Sequence, residues 1–118
     1  MAGTSTTVDL SGVQGGATGV ACVGTTLSGA LALVSSVANV IAAAGQVAAT
    51  LPAGASIGTR VFVLNSAATA VSATIFPATA AGKINNGSAG AAASIAQNKT
   101  ALFVCLDGAD NWLEVVSA

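Results

Sequence analysis

From residue 10 to residue 59 the chain carries no charged side chain, and this gap constrains the fold more than any other feature of the sequence. Ser, Thr, Asn and Gln can keep so long an uncharged stretch hydrated only barely, so it reads as a surface to be covered by other subunits, with lipid as the competing cover. Two architectures meet that demand: a helix that crosses a membrane, or short strands with small side chains packed against one another.

Residues 27–45 (LSGALALVSSVANVIAAAG) are apolar enough to raise the first option. Ala and Val supply most of that character, however, and Ser35, Ser36 and Asn39 interrupt it. No Lys or Arg flanks the run to orient a span. The start, MAGTSTTVDLSG, has neither the basic n-region nor the compact apolar core of a secretory signal. The expectation is therefore a chain outside the membrane, with a small membrane protein as an alternative.

Composition narrows the function. Three basic and four acidic residues make 6% charge, where an ordinary soluble domain has about 25%. Disorder requires low hydrophobicity with high net charge, and this chain is 53% hydrophobic with net charge −1. Nucleic-acid binding requires clustered Lys and Arg, whereas Arg60, Lys83 and Lys99 are scattered. No histidine is present to activate a serine or complete a metal set, so no catalytic residue and no cofactor is assigned. The glycines of residues 12–19 (GVQGGATG) lack the Lys-Ser/Thr of a phosphate loop. Cys22 and Cys105 read as two small buried side chains, with a single disulfide as the alternative.

The pattern along the chain points to an all-β domain, a compact β-sandwich or jelly-roll-like fold of short strands with a C-terminal hairpin. Residues 100–106 (TALFVCL) and 112–116 (WLEVV) flank the turn sequence DGADN, in which Gly108, Asp and Asn tolerate left-handed backbone. Asp107, Asp110 and Asn111 read as turn residues, since the order of a calcium loop is missing. Both faces of the 100–106 strand are apolar, which predicts burial on each side or cover by another subunit. Residues 60–65 (RVFVLN) and 71–76 (VSATIF) form two more strands, joined by SAAT as a hairpin and ended by Pro77. KINNG carries Asn86-Gly87 as a turn signal, 93–96 form a short strand and 97–99 a turn.

In the N-terminal half, residues 6–10, 18–23 and 27–34 read as strands, and 37–42 with 47–51 as a hairpin. A single helix over 30–50 competes, because Ala is the best helix former. Its stripe of Leu31, Val34, Ala38, Ile41 and Gly45 is weak, and no charged pair supports it. The domain expectation is residues 1–26 as a Gly/Thr/Ser-rich arm or edge strands, followed by one β domain over 24–118.

One succession of segments resembles a family. GTTLSGALAL (24–33), the run over 37–78, GKINN (82–86) and KTALFVCLDGADNWLEV (99–115) are similar to a recurrent segment of tailed-bacteriophage virion proteins. The shared landmarks are Leu51-Pro52, Gly58-Thr59, then Val61, Val63 and Asn65, then Phe76-Pro77, Ile84-Asn85 and a last hairpin closing on Trp112. The resemblance implies a virion part, either a head decoration (cement) protein or a tail-fibre or tail-tip module. The short, self-contained chain favours the head. It further implies a homo-oligomer, a trimer on a local three-fold axis, bound to the major capsid protein on the outer surface of a phage head made in the host cytoplasm.

Low charge fits such a role, because a surface packed against copies of itself then has little charge to desolvate. Within the arm, Val8, Leu10 and Val13 are the candidate interface residues, and Trp112 is a fourth. The competing readings are a frayed terminus for the arm and a core position for Trp112.

Overall fold

The computed structural model describes residues 19–34 and 36–117. The expected strand over 6–10 and the candidates Val8, Leu10 and Val13 lie outside the described residues. The described chain is all-β, as the alternation predicts. Its strands are β1 (Val20–Ala21), β2 (Leu31–Ala32), β3 (Val37–Ile41), β4 (Ala48–Thr50), β5 (Arg60–Asn65), β6 (Ala73–Phe76), β7 (Lys83–Ile84), β8 (Ala93–Ile95), β9 (Thr100–Cys105) and β10 (Asn111–Val116).

Two mixed sheets result. One has six strands in the order β1-β3-β5-β9-β10-β7, the other four in the order β2-β4-β6-β8. In the first sheet β1, β3 and β5 run parallel, β5, β9 and β10 pair antiparallel, and β7 lies parallel to β10. In the second, β2, β4 and β6 run parallel and β8 pairs antiparallel with β6. From β1 to β8 the chain alternates between the sheets, and only β9 and β10 follow one another in the same sheet. One core joins the layers, with Val40, Val61, Val63, Phe103 and Trp112 from the large sheet and Ala49, Ala73, Ile75 and Ile95 from the small one.

This alternation corrects two expectations. Residues 37–42 and 47–51 do make a tight turn, in which Ala43 and Gln46 exchange backbone hydrogen bonds of 3.0 and 2.8 Å. Beyond it the strands part, β3 to lie beside β5 and β4 beside β6. Residues 66–69 likewise close no hairpin. The Ser66 N–H donates to the Val40 carbonyl at 2.9 Å and its hydroxyl to Asn39 Oδ1 at 2.6 Å, tying the end of β5 to β3 while the chain crosses to the other layer.

Other expectations shift by smaller amounts. Residues 30–50 form strands rather than one helix, and the expected strand over 27–34 is a 3-10 turn at Leu27–Gly29 followed by β2. No helix among the described residues is long and apolar enough to cross a membrane. In KINNG the left-handed residues are Asn85 (φ 53°) and Asn86 (φ 57°), closed by a 3.0 Å bond from Gly87 N–H to the Ile84 carbonyl. The turn thus sits one residue earlier than Asn-Gly would place it, and positive φ at both central residues is the primed-turn geometry that Asn tolerates. The C-terminal hairpin forms in the expected place, with Cys105 opposite Trp112 and Ala101 opposite Val116.

Candidate functional site

Three features of the described chain concentrate polar or apolar groups enough to act on another molecule. The first is a buried polar tie. Asn65 ends β5 wholly buried, and its amide donates to the carbonyls of Val71 and Ile95, each at 2.9 Å. Its Oδ1 accepts from the Ala67 N–H at 3.1 Å and the Ala42 N–H at 3.4 Å. Ile95 lies in the small sheet, so one side chain fastens the two layers together. All its polar capacity is used inside the molecule, which makes Asn65 structural.

The second feature is the turn end of the C-terminal hairpin. The Asp110 carboxylate accepts from the backbone N–H groups of Ala78 (3.0 Å) and Thr79 (2.8 Å), the Thr79 hydroxyl (2.9 Å) and the Trp112 indole N–H (2.8 Å). Asp107 accepts from Ala109 N–H at 2.8 Å and from the Asn111 amide at 2.7 Å, and these bonds hold its carboxyl below the usual carboxylate range. Both acids therefore serve the turn. Beside them lies an open pocket of about 410 Å³, into which Lys83, Asn86, Asp107 and Asn111 face alongside Leu106. Among the described residues no group of three or more His, Cys, Asp or Glu side chains is placed to hold a metal ion.

The third feature is the outer face of the six-stranded sheet. Parallel register sets Val37 beside Phe62, and antiparallel register sets Phe62 opposite Leu102 and Leu102 opposite Val115. Four adjacent strands therefore share one apolar row. Phe62 is 44% exposed, Val37 49% and Val115 57%, with Leu102 half-buried between them. On one side of this row stand Arg60, Val104 and Leu113, and on the other Asn39, Leu64 and Thr100. The partners of these residues one position along each strand, such as Val61, Val63, Ala101 and Phe103, fill the core. The strand period of two thus makes one sheet apolar on both faces.

Trp112, a candidate for the surface, takes the core position, fully buried behind the last turn. Cys22 and Cys105 are both buried and both free, and burial raises the Cys22 thiol above its ordinary pKa. Residues 20–24 join the domain as edge structure: Cys22 N–H donates to the Ile41 carbonyl and Val23 N–H to the Ala48 carbonyl, each at 3.0 Å.

Sequence reasoning found the two-faced character of β9 but missed its continuation through Val37, Phe62 and Val115. The signal was present in RVFVLN, whose Phe62 and Leu64 alternate with Val61 and Val63. Only the pairing of β3 and β9 on either side of β5 shows that these residues form one surface. No protein-family model, curated protein or solved structure matches this chain.

Proposed function

We propose that this chain is a non-enzymatic structural protein of a bacteriophage virion, a decoration protein that binds the outside of the assembled head. The observation that carries the reading is the apolar row Val37–Phe62–Leu102–Val115, an outward surface on a chain with almost no charge. Contiguous exposed apolar patches mark interaction sites. The order of landmarks shared with tailed-phage virion proteins supplies the kind of assembly.

The mechanism is linkage. A subunit that binds the intact lattice and not its dissociated parts stabilises the lattice by mass action. Its partners are the major capsid protein and further copies of itself, in a trimer on a local three-fold axis. We read the fold as a compact β-sandwich wound by alternation between its sheets. The two sets of parallel strands, β1-β3-β5 and β2-β4-β6, also support a second reading as a tail-fibre or tail-tip module, because a winding of this kind lengthens by adding coils.

The test is co-sedimentation of the purified chain with phage heads that lack it, together with its copy number in the particle. Saturable binding in proportion to the number of capsid subunits supports the head, and a handful of copies per particle supports the tail. Absence from the virion contradicts both.

A further inference from the structure

We infer that the outer face of the six-stranded sheet is the surface through which copies of this chain associate with one another, with Phe62, Leu102 and Val115 at its centre and Leu113 beside them. The inference deepens the assembly reading by naming a surface and its partner, and rests on that reading only in expecting an assembly at all.

The layout is that of an interface. A wholly apolar row runs across four strands in the middle, and polar groups stand at its margins, Asn39 and Thr100 on one side and Arg60 on the other. An apolar centre with a polar rim is the anatomy of protein contacts. The exposed apolar surface of Val37, Ile41, Phe62, Leu113 and Val115, with the half-buried Leu64, Leu102 and Val104, amounts to roughly 500 Å². A stable interface takes about 800 Å² from each partner, rim included. The face therefore supplies the apolar share of one complete interface.

Charge selects the occupant. Around a symmetry axis each side chain near the axis meets its own copies, so a charged group there faces its like. The central row holds no charge, and Arg60 sits at the margin of the face. A different partner chosen by electrostatic complementarity would need charges to read, and this face offers only Arg60 and, beside Asn111 on the edge strand β7, Lys83, both at its margin. A second copy, itself 6% charged, fits a surface of this kind. Phe62, the one aromatic side chain among the described residues of the face, is of the kind enriched at the centre of such contacts.

The experiment is sedimentation velocity on the full chain over a wide range of concentration, with three variants. The double variant Phe62→Lys/Leu113→Lys places like charges within the apolar part of the face, one in the central row and one beside it. Phe62→Thr/Leu113→Thr removes the apolar surface but keeps strand propensity, so that folding, checked by circular dichroism, is preserved. Ile57→Lys alters an exposed apolar residue outside the strands and serves as control.

The expected result is an oligomer for the wild type and for Ile57→Lys, and a folded monomer for the Thr pair, with at least a tenfold weaker association constant. A wild type that is monomeric at every concentration overturns the inference, whether the face then lies bare or under another part of the same chain. An oligomer unaffected by the Thr pair overturns it too, since another surface is then in use. A monomer that still binds phage heads through this face leaves the decoration reading standing and defeats self-association. An oligomer that ignores heads does the reverse.

Discussion

Phe62 on β5 and Leu102 on β9 stand opposite one another in antiparallel register, on the side of the sheet that faces away from the core. Their sequence neighbours Val61 and Phe103 are paired in the same register on the other side and are fully buried. The same two strands therefore build the core and an outward apolar surface. One consequence is that core and surface can be varied separately.

Asn65 makes four hydrogen bonds from a fully buried position. Asn65→Leu leaves two carbonyls and two N–H groups without a partner, and the expected loss of stability is about 3 kcal/mol. Asn65→Asp is expected to be at least as damaging, because a carboxylate cannot donate to Val71 and Ile95. Urea denaturation of both variants measures the cost, and a loss below about 1 kcal/mol contradicts the tie between the sheets.

Gly82 is required by close approach. A Cβ at this position meets the Asp110 carboxylate, and Pro77 Cβ at 2.6 Å. Gly82→Ala must displace Asp110 from its bonds to Ala78, Thr79 and Trp112, with an expected cost of about 2 kcal/mol. Near-neutral stability together with unchanged near-ultraviolet dichroism of Trp112 would show that Asp110 does not hold this corner.

Glu114 gives the chain a pH dependence of known sign. Its Oε2 is buried with no hydrogen-bond partner, and burial raises its carboxyl above the ordinary glutamate value. Between the ordinary value and the raised one the folded chain holds more proton than the unfolded chain, so stability falls as pH rises through that window. Glu114→Gln is expected to raise the thermal midpoint at about pH 7 and to match the wild type near pH 3, where both carry a neutral group. Thermal scans at the two pH values read this difference. Asp107, whose carboxyl is lowered by its hydrogen bonds, works in the opposite sense and loses its contribution as pH falls.

The hairpin of β9 and β10 was legible in the sequence because everything that makes it is local: two β-branched runs, a turn of Asp, Gly and Asn, and one Trp. The crossing of the chain between sheets was not, for a physical reason. Strands such as 48–50 (AAT) and 31–32 (LA) are short and small, and either face of them can be buried, so their pattern does not specify a neighbour. What settles the route is a few polar ties, Asn65 to Ile95 and Ser66 to Asn39, each between residues far apart in the chain. The candidate surface was half legible for the same reason, since the two-faced pattern of 100–106 could be read but its neighbours could not.

Cys22 and Cys105 are expected to behave as core residues. Each is buried and free, and the raised Cys22 pKa leaves little thiolate at neutral pH. Alkylation by iodoacetamide should be slow in the native chain and fast in denaturant, with two modifications per chain found by mass spectrometry after unfolding without reductant. A mass indicating no free thiol under those conditions contradicts the free state.

Hydroxyl-radical footprinting of the chain in its assembled form, compared with the same chain diluted to dissociation, reads the assembly surface residue by residue. Phe62, Leu102, Leu113 and Val115 are predicted to be protected by assembly, while Val34 and Ile57, exposed at 87% and 73%, keep the same reactivity in both. Equal oxidation of these four residues in the assembled and dissociated chain would contradict the assignment of this face as the surface of assembly.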